Sequence, residues 1–183
     1  MAEPRHRYST VSLILHWLIA ALVVTQIGLI AGHELTEGPM SREFIGAHKS
    51  VGLSILVLTL ARLGWRIANP ALPLPEAMPR WEKLLARGTH VLFYVFLIAM
   101  PLVGWAASSA AGRDIVWFGL FQWPLLPIGG GREMAGNLMD VHELAGKLLI
   151  ALVILHVAGA LKHHFITRDN VLHRMLPFIR RRP

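Results

Sequence analysis

Four histidines, His16, His48, His142 and His156, lie inside apolar stretches of the chain. A polar ring at membrane depth is costly and marks a functional site by default. Two of them share the segment VHELAGKLLIALVILHVAGALKHHF, residues 141–165. A helix advances 1.5 Å and 100° per residue. The fourteen residues from His142 to His156 therefore give about 21 Å of rise and nearly four whole turns. Both rings face one side of a helix, in opposite halves of the bilayer. By depth, His48 partners His142 and His16 partners His156. Pairs of neutral imidazoles in a large apolar pocket suit haem iron, and two stacked pairs suit two haems. Zinc also accepts histidine. The two pairs are too far apart for one ion, however, and no carboxylate lies at mid-depth to complete a transport path.

Small residues accompany the histidines. Gly52 follows His48 by four residues, Gly146 follows His142 by four, and Gly159 follows His156 by three. Residues at such spacings share a face, and glycine there would leave room for a flat macrocycle. Close helix packing in membranes is the other use of such glycines.

A second group lies toward the ends of the spans. His90, His163 and His164 are expected to meet at the inner boundary, where a lipid-soluble quinone would need hydrogen-bond partners and proton carriers. Arg62, Arg66 and Arg87 lie at similar depth and suit either haem propionates or, by default, lipid phosphates. His6, His33 and His173 fall outside the spans and are expected to face solvent.

The elements that must position these groups are membrane helices. The chain is 54% hydrophobic and 16% charged, whereas a soluble domain is nearer a quarter charged. Four apolar runs, about 10–31, 44–67, 81–105 and 141–165, each approach the ~20 residues that cross ~30 Å of hydrocarbon. Unbroken apolarity favours helices over barrel strands. The expected fold is an all-α membrane protein, one domain over 1–183, with four transmembrane helices bundled around two b-type haems. No cleavable signal peptide is expected, because the first span is long and lacks a clean small-residue cleavage site.

Lys and Arg set the expected orientation. Thirteen lie on the side of the N-terminus, second loop and tail, against five on the other side: Arg42, Lys49, Arg113, Arg132 and Lys147. Both termini are therefore expected to be cytoplasmic. The net charge of +7 is explained by this flanking pattern and does not call for nucleic acid. The absence of cysteine excludes disulfides, cysteine-ligated iron–sulfur clusters and C-x-x-C-H haem attachment. The second loop, with Pro70, Pro73, Pro75 and Pro79, reads as a stiff extended connector. The third, about 106–140, carries Trp117, Phe118, Phe121, Trp123 and the glycines 129–131. Its aromatics suit the membrane interface, where the loop is expected to lie as a lid.

With these residues in place, the chain resembles the bacterial cytochrome b561 family over nearly its whole length. The motifs are LHWL at 15–18, AHKSVG at 47–52, LARLGWRIANP at 60–70, GTHVLFY at 88–94, VHELAG with LHVAGALKHHF, and RDNVLHRMLP at 168–177. Within that family it looks most like the superoxide oxidases, or superoxide:ubiquinone oxidoreductases. The resemblance implies a multi-pass protein of the bacterial inner membrane with two non-covalent haem b groups. It implies His16 and His156 as iron ligands of the inner haem, and His48 and His142 as those of the outer. It also implies electron transport from superoxide at the periplasmic face to ubiquinone, with His90 and His163 at the quinone site. Superoxide is an anion, yet the outer side carries seven acids against its five bases. Steering would have to be local, with Lys49 and Lys147 as candidates. Two rival functions remain. One is a haem b electron-transfer subunit of a larger dehydrogenase or hydrogenase, fed by a protein electron donor. The other is a histidine-rich metal transporter.

Overall fold

A computed structural model describes residues 7–176. Expectations that fall on Arg5, His6 and Arg180–Arg182 lie outside these residues. Four long helices dominate: α1 (Thr10–Leu35), α2 (Gly38–Ala68), α3 (Arg80–Ala110) and α4 (Gly131–Lys162). All four are long and apolar enough to cross a membrane. A short antiparallel hairpin, β1 (Ile115–Trp117) and β2 (Phe121–Trp123), interrupts the link from α3 to α4. After α4 the chain makes a π-helical turn at His163–Thr167 and a 3-10 turn at Leu172–Arg174.

The helices outrun the apolar spans, and the reason is physical. Lipid selects against charge, but a helix does not end where lipid ends. Only Thr36 and Glu37 separate α1 from α2. The charged residues excluded from the spans, such as Glu34 and Arg42, remain helical. Helix α4 begins ten residues before the expected Val141, through GREMAGNLMD, which is too polar for lipid but contains good helix formers. Gly130 (φ 120°) and Gly131 (φ 61°) make the turn that starts it, a backbone conformation that favours glycine. The proline-rich second loop, 69–79, carries no helix, and Pro79 leads directly into α3.

Helix α1 packs on α2, and α3 packs on both α2 and α4. Ile19, Val23, Val51 and Ile55 form the buried core between α1 and α2. At Gly32 a Cβ would stand 2.8 Å from the ring of Phe44, so this glycine admits that ring at the α1–α2 turn. Helix α4 packs closely on α3 but stands off from α1 and α2, with little close backbone approach to either.

The hairpin is tied to α2 and α3 by side-chain hydrogen bonds. Ser50 Oγ accepts from the Phe118 amide at 3.0 Å. The Trp117 indole donates to Ser54 Oγ at 3.2 Å, and the Trp105 indole to the Pro124 carbonyl at 2.8 Å. Ser50 and Ser54 follow His48 by two and six residues, which places them about 200° and 240° around α2 from it. The hairpin therefore covers the side of α2 turned away from His48.

At the opposite end the tail folds back on the bundle. The Trp17 indole donates to the Met175 carbonyl at 2.9 Å, and Arg174 donates to the Pro73 carbonyl at 2.6 Å. Two histidines expected in solvent are engaged instead. His173 is buried, 6% exposed, and its Nε2 accepts from Arg7 at 3.2 Å. His33 is half-buried and bonds Ser41 Oγ at 2.6 Å, clasping α1 to α2. Both lie beyond the apolar spans, yet tertiary folding covers them.

Candidate functional site: two histidine pairs and a terminal cluster

The four span histidines meet in two pairs. His16 of α1 faces His156 of α4 with ring centres 6.3 Å apart. His48 of α2 faces His142 of α4 at 6.0 Å. Both pairs bridge the side on which α4 stands off from its neighbours. Imidazole nitrogen bonds zinc at about 2.0–2.1 Å, and a ring centre lies about 1 Å behind its nitrogen. Two imidazoles sharing one metal of similar bond length are thus centred roughly 6 Å apart. Both pairs have that separation.

The hydrogen bonds of His142 also suit a metal ligand. Its Nδ1 donates to the Met100 carbonyl at 3.0 Å, which leaves the Nε2 lone pair bare. Gly104 makes this contact accessible. It lies four residues after Met100, where a side chain would crowd the carbonyl, and a Cβ there would sit 3.1 Å from His142 Cε1. No sequence argument singled out Met100 or Gly104. The available signal was a glycine in the third span at the depth of His142.

Of the glycines that were singled out, one has a different neighbour from the one expected. At Gly52 a Cβ would stand 3.1 Å from the Gln26 amide nitrogen, which donates to the His48 carbonyl at 2.9 Å. Gly52 thus makes room for Gln26. Gly146 meets the Met100 methyl at an ordinary 3.6 Å, and Gly159 has nothing within 4 Å.

His90 and His163 take different partners. The His90 ring lies 5.5 Å from that of His156, centre to centre, and its Nδ1 bonds the Ala86 carbonyl at 2.6 Å. His90 belongs beside the His16–His156 pair. His163 Nδ1 bonds Asp169 Oδ2 at 2.6 Å, and its Nε2 lies 3.9 Å from Glu82 Oε2. Glu82 in turn pairs with Lys162, whose ammonium sits over the Trp81 ring at 5.5 Å. His163, Glu82 and Asp169 are largely covered. His164 stacks edge-on with Phe165 at 4.7 Å. Arg168 adopts a left-handed conformation (φ 58°) that turns the chain after the π-helical turn. That turn returns Asp169 to His163, a contact that spacing in a regular helix does not reveal.

At the hairpin end, Lys147 pairs with Glu143 at 2.8 Å in the open. Lys49 reaches the Asp114 carbonyl at 3.5 Å, and the Asp114 carboxylate accepts from Gln122 at 2.7 Å. The two candidate steering lysines thus differ: among the described residues, only Lys147 forms an ion pair with a carboxylate.

A family model described as prokaryotic cytochrome b561 matches residues 7–178. The chain belongs to the prokaryotic cytochrome b561 family. It is 33% identical over 176 residues to Cytochrome b561 homolog 2 of Escherichia coli K12, covering 93% of this chain and 91% of that one. It is 29% identical over 174 residues to the Probable superoxide oxidase CybB of Yersinia pestis, covering 93% and 96%. It is 27% identical over 175 residues to Cytochrome b562 of Cereibacter sphaeroides, covering 92% and 94%. The cytochrome b561 family implies a b-type haem and electron transfer in a membrane. The bridging imidazole pairs, and the Nδ1 bond that leaves His142 Nε2 bare, fit such a group. Membership of a cytochrome family displaces the metal-transporter alternative.

Proposed function

We propose that this cytochrome b561 is a di-haem oxidoreductase that passes electrons from superoxide, at the hairpin end, to ubiquinone, at the end carrying the termini. His16 and His156 would ligate one haem, and His48 and His142 the other. The observation that carries this reading is the repeat of one arrangement at two depths. Two imidazole pairs with ring centres 6.3 and 6.0 Å apart share α4, at an axial separation of about 21 Å. Bound haem would supply one-electron carriage between the two ends. The Lys/Arg asymmetry supports an orientation with both termini in the cytoplasm and the hairpin outside.

The overall reaction balances as two superoxide, one ubiquinone and two protons giving two dioxygen and one ubiquinol. The chain's own residues must attract the anion, hold the electron carriers and deliver the protons. Lys49 is the better placed of the two steering lysines, because the charge of Lys147 is offset by Glu143. His163 is the proposed proton carrier for the quinone. Asp169 fixes its ring through Nδ1, leaving Nε2 to exchange a proton at the quinone oxygen. Glu82, 3.9 Å from that nitrogen, stands where a proton could reach it from the surface side. His164 and His90 are secondary candidates, and His90 is drawn toward the haem pair.

Rapid mixing of detergent-purified protein with superoxide, then with ubiquinone, tests the reading. Fast haem reduction followed by reoxidation is expected. A second reading is favoured by the acidic surplus at the hairpin end: electrons would come from a protein donor in a larger dehydrogenase or hydrogenase complex. Slow reduction by superoxide, with copurification of a large subunit, would establish that reading instead. His156→Ala tests the ligand assignment. One haem spectrum is expected to vanish while the other persists, and full retention of both would refute it.

A further inference from the structure

A pocket at the termini end lies between the start of α1, the end of α2 and the middle of α3. Its polar lining is Tyr8, Ser12, Arg62, Arg66, Asn69 and Tyr94. Every one of these side chains can donate a hydrogen bond, two are guanidinium groups, and none is a carboxylate. Among the described residues, neither arginine forms an ion pair with a carboxylate. Two half-buried cations in a membrane helix without a counter-charge are costly. The lining therefore selects an anion of carboxylate or phosphate type.

Position identifies which anion. Ser12 lies one helical turn before His16, on the same face of α1. Arg62 donates to the Ser12 carbonyl at 2.7 Å and also bonds the Tyr94 hydroxyl, which fixes the guanidinium beside that turn with fewer bonds than its five N–H donors can make. Tyr94 lies one turn after His90, whose ring touches that of His156. The pocket thus adjoins the His16–His156 pair. Its rim is protein: Ala71 of the second loop and Met175 of the tail line it, and Trp17 holds the Met175 carbonyl. Arg87 is not part of it.

From this juxtaposition we infer that Arg62 and Arg66 anchor the propionate carboxylates of the haem held by His16 and His156. This rests on the di-haem reading above. It gives these two arginines a role other than the default lipid contact or topology signal. Planar guanidinium groups suit bidentate capture of carboxylates.

The test combines a change in the protein with a change in the ligand. Apoprotein is reconstituted with haem or with its dimethyl ester, which lacks the carboxylate charges, in the native chain and in Arg62→Gln/Arg66→Gln. In the native chain, esterification is expected to speed loss of one of the two haems to a soluble haem acceptor. In the double variant that haem is expected to be lost quickly in either form, so esterification adds nothing. Its midpoint potential, with the native haem, is expected to fall while the other haem's does not, because a nearby cation favours the reduced state. Equal sensitivity to esterification in both chains would overturn the inference. So would loss of a bound anionic phospholipid from the variant, read by native mass spectrometry, with both haems unchanged. Circular dichroism of the variant separates a folding defect, and Arg62→Lys/Arg66→Lys, which keeps the charge, is expected to restore the potential. Failure of the underlying reading looks different: the native protein would then hold fewer than two haems per chain.

Discussion

Gly104→Ala adds one methyl group in the C-terminal third of α3 and is expected to damage one haem site selectively. The new Cβ would stand 3.1 Å from His142 Cε1 and 3.3 Å from its Nδ1. Either distance is a few tenths of an ångström inside ordinary van der Waals contact, so the ring must move. The ring is also held by the 3.0 Å bond from Nδ1 to the Met100 carbonyl, and movement away from Gly104 strains that bond. Overpacking of this kind costs about 1–3 kcal/mol. At 1.4 kcal/mol per factor of ten, that weakens the site by roughly 5- to 150-fold. Loss of an outer-shell partner of a metal-bound histidine costs about 10- to 100-fold in affinity, so two independent routes give the same order. The assay is haem loss to a soluble acceptor, followed separately for the two haems by their spectra. Gly136→Ala is the control. It lies on α4 before the apolar span, six residues ahead of His142, with nothing within 4 Å of its new methyl, and neither haem should respond. Unchanged retention of both haems in Gly104→Ala would refute the argument that His142 is a ligand positioned by Met100. Equal loss of both would show a general packing effect.

Other consequences are as direct. Asp169→Asn should slow ubiquinone reduction with haem content unchanged, and His163→Ala should slow it by about 100-fold or more if the ring carries the proton. Stopped-flow reoxidation by quinone measures both, and normal kinetics in His163→Ala would remove it from that role. Lys49→Ala should lower the second-order rate with superoxide and reduce its dependence on ionic strength, whereas Lys147→Ala should change little. The reverse order would show that Glu143 does not offset Lys147. Ser50→Ala strands the Phe118 amide where Ser50 is 1% exposed, a cost of about 1–3 kcal/mol. Limited proteolysis should then cut the 115–123 hairpin faster, with haem content unchanged, and equal protection would show that the serine does not secure it.

The four helices and the two histidine pairs were legible in the sequence because both follow from long-range regularity. Apolar length marks a span, and 3.6 residues per turn puts His142 and His156 on one face. What could not be read were contacts set by interruptions of that regularity. The π-helical turn at His163–Thr167 and the left-handed Arg168 bring Asp169 back to His163, so the proposed quinone group gains a carboxylate that spacing did not indicate, while His90 lies beside His156. The hairpin inserts Trp117 against Ser54 on the side of α2 away from His48, which no hydropathy pattern specifies. Charge was misleading at the helix ends for the same reason that it was informative within the spans. Glu34, Arg42 and Asp140 mark where lipid must stop, while the backbone hydrogen bonds of α1, α2 and α4 continue past them.

Helix α4 contributes a ligand to each pair and leads into the third group at His163, so its placement sets all three at once. It stands off from α1 and α2, and its close packing is on α3. The α3 residues that hold it are Met100, whose carbonyl takes the His142 bond and whose methyl meets Gly146, and Glu82, which pairs with Lys162. These contacts lie near opposite ends of α4, beside His142 and beside His163. Fixing both ends against one neighbour leaves α4 only a light contact with the other two, in which Val153 meets the Ile19–Val23–Val51–Ile55 core between the two histidine levels. A bundle closed by apolar side chains on all sides would draw α4 inward and collapse the ring separations below the roughly 6 Å that a shared metal requires. The sparse packing of α4 against α1 and α2 is thus the structural condition for the two histidine pairs, and helix α3 supplies the anchorage that this condition removes.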